Sequence, residues 1–284
     1  MILLDRKAIR AFKQNRVAVI GLFLTLILVF TALFADVLAP YDVREQNIRG
    51  RYSPPGADHL LGTDDLGRDV FSRIIVGSRV SLYVSVSSVF FAMCTGVVLG
   101  MFAGYKGGFI DHIITRLIDT LMSFPSLLLG LLVVSALGPG LRNTVIAIAL
   151  AFVPRFARVA RGPTLSLKEQ EFILASRAAG AKDSRIIFVH ILPNLVGEIV
   201  VMASLWVATA IIIESSLSFL GLGVQPPTPS WGIMIKTGVD EITVAPWLAV
   251  FPGLAISIAV LAFNLIGDGM RDLLDPRTRG QLAG

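Results

Sequence analysis

Four long runs without a charged residue dominate the chain. Val17 to Ala35 lies between Arg16 and Asp36, and Val80 to Tyr105 between Arg79 and Lys106. Thr120 to Leu141 lies between Asp119 and Arg142, and Ile242 to Gly267 between Glu241 and Asp268. Each holds at least 19 residues, enough at about 1.5 Å per residue to cross a hydrocarbon core about 30 Å thick. Two weaker spans join them. Asn143 to Arg161 is apolar until Arg155, Arg158 and Arg161 arrive at three-residue spacing, as in a helix end whose arginines snorkel to the headgroups. Val196 to about Leu220 is apolar apart from Glu198 and Glu214. The pattern predicts an all-α, polytopic membrane protein with six transmembrane helices and both termini on one side. Val70, Phe71, Ile74 and Ile75 add a helical spacing before the second span, which predicts a short amphipathic helix on the outer interface.

Composition supports the membrane assignment. Only 16% of residues are charged, against roughly 25% in soluble domains. The net charge of +5 is the lysine and arginine excess that orients membrane helices rather than a nucleic-acid footprint. With the N-terminus inside, the N-tail (Arg6, Lys7, Arg10, Lys13, Arg16), the second connection (Lys106, Arg116), the segment from Arg155 to Arg185 and the C-tail (Arg271, Arg277, Arg279) place 17 of 25 basic residues on the inner side. The chain then divides into a cytoplasmic N-tail (1–16), a first transmembrane helix (17–38), an outer loop (39–79), a five-helix domain (80–270) and a cytoplasmic C-tail (271–284). The first apolar run exceeds the roughly 7–15 residues of a signal-peptide core and is followed by Asp36 and Pro40, so an uncleaved helix is expected.

Candidate chemistry is sparse. The single cysteine, Cys94, allows no internal disulfide or cysteine-based metal site and is expected to be a buried small hydrophobe. His59 with Asp64, Asp65 and Asp69 matches no standard metal-ligand spacing and is assigned to loop caps and ion pairs. Ser53-Pro54-Pro55-Gly56 marks a turn. No GxxxxGK[ST] phosphate loop and no nucleophile elbow or triad occurs, so no catalytic residue, metal or cofactor is assigned to this chain.

The longest polar segment expected on the inner side, Pro163 to Asn194, carries the functional argument. Ser166 and Glu169 form a capping box that predicts a helix start near Leu167. Phe172, Ala175, Ser176 and Ala179 then share a narrow face of mostly small side chains. Gly180 can end that helix in a left-handed conformation. Asp183 can cap a second short helix through Ile187, Phe188 and Ile191, which Pro193 closes. Such a unit is either a docking knob, with Lys168, Arg177, Lys182 and Arg185 at its rim, or an amphipathic linker resting on the membrane.

The run Ala175-Ser176-Arg177-Ala178-Ala179-Gly180-Ala181, continuing to His190-Ile191-Leu192-Pro193-Asn194, resembles the EAA loop of bacterial ABC-importer permeases. Leu174 stands where that motif has its glutamate, and His190 where it has an aliphatic residue. Both departures are similar to the dipeptide/oligopeptide/nickel branch, so no salt bridge of the motif's glutamate carries over. The outer-loop stretch His59 to Arg73, the stretch Glu214 to Gly223 with Pro226 to Gly232, Phe251-Pro252-Gly253, and Gly267 to Pro276 also resemble that branch, specifically its dipeptide-permease C-type subunit. The likeness runs from about Arg16 to Arg277.

This resemblance implies a type I ABC-importer permease fold, with 80–270 as its transmembrane domain, in the cell inner membrane. It implies ATP and Mg used only by two separate cytoplasmic ABC ATPase subunits, a homologous second permease, and an extracytoplasmic solute-binding protein. It places the ATPase-coupling surface on Ala175, Ser176, Arg177, Ala178, Ala179, Gly180, Ala181, Leu192 and Pro193. Read on their own, Glu214 is an intramembrane carboxylate with a structural or gating role, pairing with a partner permease, lining the path or sitting in the outer headgroup zone; Asn264 is a helix-pairing or pore-lining residue. An ion-gradient-driven transporter would need a carboxylate or histidine relay, usually with inverted repeats; only Glu214 fits. A membrane enzyme would need clustered histidines or carboxylates near one membrane face, and only the outer-loop aspartates offer them.

Overall fold

The computed structural model describes residues 15–274. Arg6, Lys7, Arg10, Lys13, Arg277 and Arg279 of the two tails lie outside the described residues. Helix α1 (Arg16–Leu33) starts where the Asn15 side chain accepts the Val17 and Ala18 N–H groups, and α2 (Ala35–Leu38) follows a break at Phe34. Then come α3 (Val70–Lys106), α4 (Gly108–Met122), α5 (Ser126–Leu137), α6 (Leu141–Leu167), α7 (Glu171–Ala178) and α8 (Asp183–Arg185). A π-helical turn (Ile186–Ile191) leads into α9 (Leu192–Phe219), followed by α10 (Trp231–Asp240) and α11 (Trp247–Leu274).

Among the described residues five helices are long and apolar enough to cross a membrane, or up to six when the bent pair α4–α5 is taken as one broken span. The expected straight span Thr120–Leu141 is therefore corrected. The chain turns by 93° between α4 and α5, at Ser123-Phe124-Pro125, where the proline disfavours helical backbone in the residue before it. The separate interfacial helix expected at Val70–Ile75 is also absent: those residues are the first turns of the 37-residue α3, with Val70 and Ile75 buried. Asp69 caps that helix, accepting from Ser72 N–H at 2.7 Å.

The bundle is organised around α3 against α6. Gly96, Gly100 and Gly104 recur at four-residue spacing along α3 and face Val153, Ala157 and Arg161 at the same spacing on α6. A Cβ at Gly96 would lie 2.5 Å from the Val153 carbonyl oxygen and one at Gly104 2.9 Å from that of Arg161, with Gly100 closer still to Ala157. Such backbone-to-backbone approach lets membrane helices gain dispersion contact without a hydrophobic driving force. Phe152 and Phe156 of α6 are fully buried in this core. Cys94, expected to be buried, is exposed on α3, on the side turned away from this seam. Gly100→Leu is expected to lose the monodisperse detergent-extracted protein in size-exclusion chromatography, since overpacking a rigid seam costs about 1–3 kcal/mol or more.

The ends of the bundle follow from the helix order. Asn15 donates to Asp272 at 3.0 Å, so the described ends of the chain meet. The other end holds the loop before α3. Its Asp64 accepts from Leu66 N–H, Arg68 N–H and Arg68 Nε and lies 3.4 Å from Arg73 Nε, while His59 Nδ1 is 3.0 Å from Asp69. These acids act as turn caps and ion pairs, and Trp247 Nε1 ties the loop to α11 by donating to the Thr63 carbonyl at 3.3 Å.

Candidate functional site

Two arrangements stand out from the bundle: a projecting unit, α7–α8, and a buried carboxylate near the opposite end. The projecting unit is built differently from the sequence expectation. Ser166 and Glu169 do not start a helix; α6 runs through Pro163 to Leu167, and α7 begins after Gln170 without a side-chain cap. Packing explains this, because Thr164 continues the α6 seam against Gly104. Asp183 does not cap α8, whose preceding residue is Lys182. Pro193 does not close a helix but sits in the first turn of α9, where a missing N–H costs nothing.

The expected hinge is present. Gly180 has φ +81°, Ala181 N–H donates to the Ser176 carbonyl and Gly180 N–H to that of Arg177. These two bonds form the Schellman motif, which leaves glycine in the left-handed region. Ile173 is fully buried and anchors α7 to the bundle. Phe172, Ala175, Ala178 and Ala179 are exposed, Ser176 is half-buried 3.3 Å from His190 Nε2, and a Cβ on Gly180 would meet open space. Leu192 and Pro193 lie behind this face as the start of α9.

Asp183 instead bolts the unit to the end of α3. It accepts from Tyr105 Oη at 2.8 Å and Lys106 Nζ at 2.6 Å, and the Arg177 guanidinium stands 5.4 Å from the centre of the Tyr105 ring. Tyr105 first, then the carboxylates of Asp183 and Glu169, raise the Arg177 pKa above its ordinary value. The sequence marked Tyr105 only as the end of an apolar run and Lys106 only as an inner-side basic residue, with nothing to link either to Asp183.

The buried carboxylate is Glu214 of α9, with no exposed surface. Ser81 of α3 donates to it at 2.9 Å and Ser218 at 2.8 Å, with Ser215 at 3.4 Å. The carboxylate is therefore closed off from solute in this conformation. Three hydroxyls from two helices satisfy a polar group that a membrane interior makes costly. Trp231, next in the fold, is 1% exposed and donates through Nε1 to the Ile74 carbonyl at 3.0 Å. Glu214 thus joins α9 to α3 beneath α10. Asn264 is half-buried on α11, with no side-chain hydrogen bond among the described residues.

Arg155, Arg158 and Arg161, three of the four arginines of α6, each meet a side chain of a neighbouring helix. Arg161 forms a two-point pair with Asp111 of α4 at 2.6 and 2.7 Å, and Arg158 pairs with Asp119. Arg155 meets no carboxylate among the described residues; it donates to Ser126 Oγ and covers the Trp206 ring, 4.2 Å from its centre.

Comparison with known proteins agrees with this architecture. Residues 96–280 match the family of binding-protein-dependent transport system inner membrane components, and residues 5–55 match the N-terminal transmembrane domain of oligopeptide transport permease C. A dipeptide transport system permease from Alkalihalophilus pseudofirmus is 46% identical over 96% of this chain and 90% of its own length. A glutathione transport system permease from Pectobacterium atrosepticum is also 46% identical, over 95% of this chain and 90% of its own. A chain of the inward-facing MetNI methionine ABC transporter superposes with a TM-score of 0.59 at 18% identity, covering 72% of this chain and 98% of that one. The chain belongs to the binding-protein-dependent transport system inner membrane component family and is a multi-span permease component of an ABC importer.

Proposed function

We propose that this permease imports peptides, or related small solutes such as glutathione-like molecules, across the cytoplasmic membrane, with its α7–α8 knob seated in one of two separate ABC ATPase subunits. The similarity to both a dipeptide and a glutathione permease supports that solute class. The observation that carries the mechanism is the knob: an exposed, small-residue face held at a fixed angle by a glycine cap, a buried Ile173 and the Asp183 bolt. ATP and Mg act in the ATPases. Their closure moves the knob, and the bolt passes that displacement to α3, the helix against which α6 and α9 pack. A homologous second permease completes the path and an external binding protein delivers solute. Both termini face the cytoplasm with the knob, in keeping with the basic residues at that end and with the Asn15–Asp272 contact.

The experiment is uptake by proteoliposomes containing the full set of subunits. ATP-dependent accumulation that survives collapse of ion gradients supports the reading. Accumulation that needs an ion gradient and no ATP would sink it and restore the secondary transporter.

The bolt makes a sharper prediction. Lys106 and Asp183 are 37% and 48% exposed, so their pair adds little to stability. Asp183→Asn and Tyr105→Phe should leave expression unchanged yet each lower solute moved per ATP hydrolysed about threefold, with the double variant no worse than the poorer single, as groups in one network behave. Additive losses would show that the two side chains act separately.

A further inference from the structure

The arginine ladder on α6 contains an unspent cation. Arg161 and Arg158 are each matched by an aspartate of α4, but Arg155, the one deepest in the span, has no acidic side chain within 4.0 Å among the described residues. Its one hydrogen bond goes to a serine hydroxyl at the start of α5. Its flat face is stacked on Trp206 and lies 5.8 Å from the Phe152 ring centre. The Trp206 indole N–H has no acceptor among the described residues. The cluster is therefore rich in donors and poor in acceptors: a guanidinium with most of its five N–H groups free and an orphaned indole N–H.

Arg155 is also half-buried rather than sealed. A guanidinium facing lipid from within a span is costly, and such groups face the interior of the bundle or a water-filled path. Three elements converge on this position. Ser126 follows the 93° bend between α4 and α5, and α5, α6 and α9 meet around Arg155.

We propose that Arg155 is a carboxylate-recognition point on the translocation path, binding the free carboxylate of the solute in two-point fashion while Trp206 backs the guanidinium. The planar fork of arginine suits a carboxylate better than a point charge would, and the rings exclude competing water. The identity of the solute as a peptide rests on the reading above; the demand for an anionic, bidentate acceptor comes from the cluster itself. Lysine at this position would keep the charge but lose the fork.

The test uses the complete importer in nanodiscs, without binding protein. Tryptophan emission is followed during titration with alanyl-alanine or its C-terminal amide, and the Trp206 signal is obtained by subtracting that of the Trp206→Phe complex. The free acid should give a saturable change, with the amide weaker by about tenfold or more. Arg155→Gln should abolish the difference and Arg155→Lys should keep part of it. In proteoliposomes at saturating binding protein, Arg155→Gln should bring the acid-over-amide ratio of maximal uptake towards one. An unchanged ratio or equal emission responses overturn the proposal. A response that follows phosphatidylglycerol content and ignores the peptide makes Arg155 a headgroup anchor and overturns it as well. Carboxylate binding lost in Arg155→Gln, with no peptide uptake even by wild type, keeps the site and removes the peptide assignment.

Discussion

Gly180→Asp is expected to cut solute uptake by about a hundredfold, the loss of roughly 2–4 kcal/mol that a charged group causes at the centre of a packed interface. The bundle should stay folded. A Cβ at Gly180 meets no atom of the described residues within 4 Å, so the new side chain starts in open space. What changes is the docking face, which gains a carboxylate where Ala175, Ala178 and Ala179 present only small groups. The left-handed backbone at φ +81° adds a cost of about 1–2 kcal/mol for alanine and less for aspartate, whose short polar side chain tolerates that region. Gly180→Ala separates the two effects, because it carries the backbone cost without the charge. Uptake by the alanine variant should exceed that of the aspartate variant by about tenfold. Equal loss in both would place the defect in the hinge geometry instead of the interface.

The second large effect is expected at Glu214. Leucine there leaves the Ser81 and Ser218 hydroxyls without their acceptor in the protein interior, a cost of about 1–3 kcal/mol for each group left unsatisfied. Glutamine keeps the shape and can still accept one hydroxyl and donate to the other, so it should retain most of the thermal stability and uptake of the wild type. Aspartate is shorter by one methylene and should fall between them. The order Gln, Asp, Leu, measured as melting of the detergent-solubilised complex, identifies Glu214 as a neutral-tolerant tie between α9 and α3. Equal loss in glutamine and leucine would mean that the charge itself is required, as in an ion relay.

Much of this was legible in the chain because membrane insertion writes its rule into composition. The six apolar segments, the glycine hinge at Gly180 and the intramembrane carboxylate at Glu214 all follow from local pattern. What escaped depended on contacts far apart in sequence. Asp183 was expected to cap its own helix, yet its partners are 77 and 78 residues away, and nothing near Asp183 encodes them. Ser166 and Glu169 have the right types and spacing for a cap, but the α3–α6 seam carries helix through Pro163 and past them. Two missed features did leave a signal. Pro125 sits inside the apolar run that bends, and Gly96, Gly100 and Gly104 repeat at the small-residue spacing of close-packed membrane helices.

The central claim is that α7–α8 is the surface through which separate ATPases drive this permease, and copurification tests it most directly. The chain is coexpressed with its partner permease and ATPases, extracted in mild detergent and isolated through a tag on the permease, as wild type, Gly180→Asp and Phe172→Asp. The account predicts stoichiometric ATPase with the wild type and little or none with either variant, while the two permeases remain together. ATPase retained by both variants at the wild-type level would contradict it and leave α7–α8 as a linker on the membrane surface.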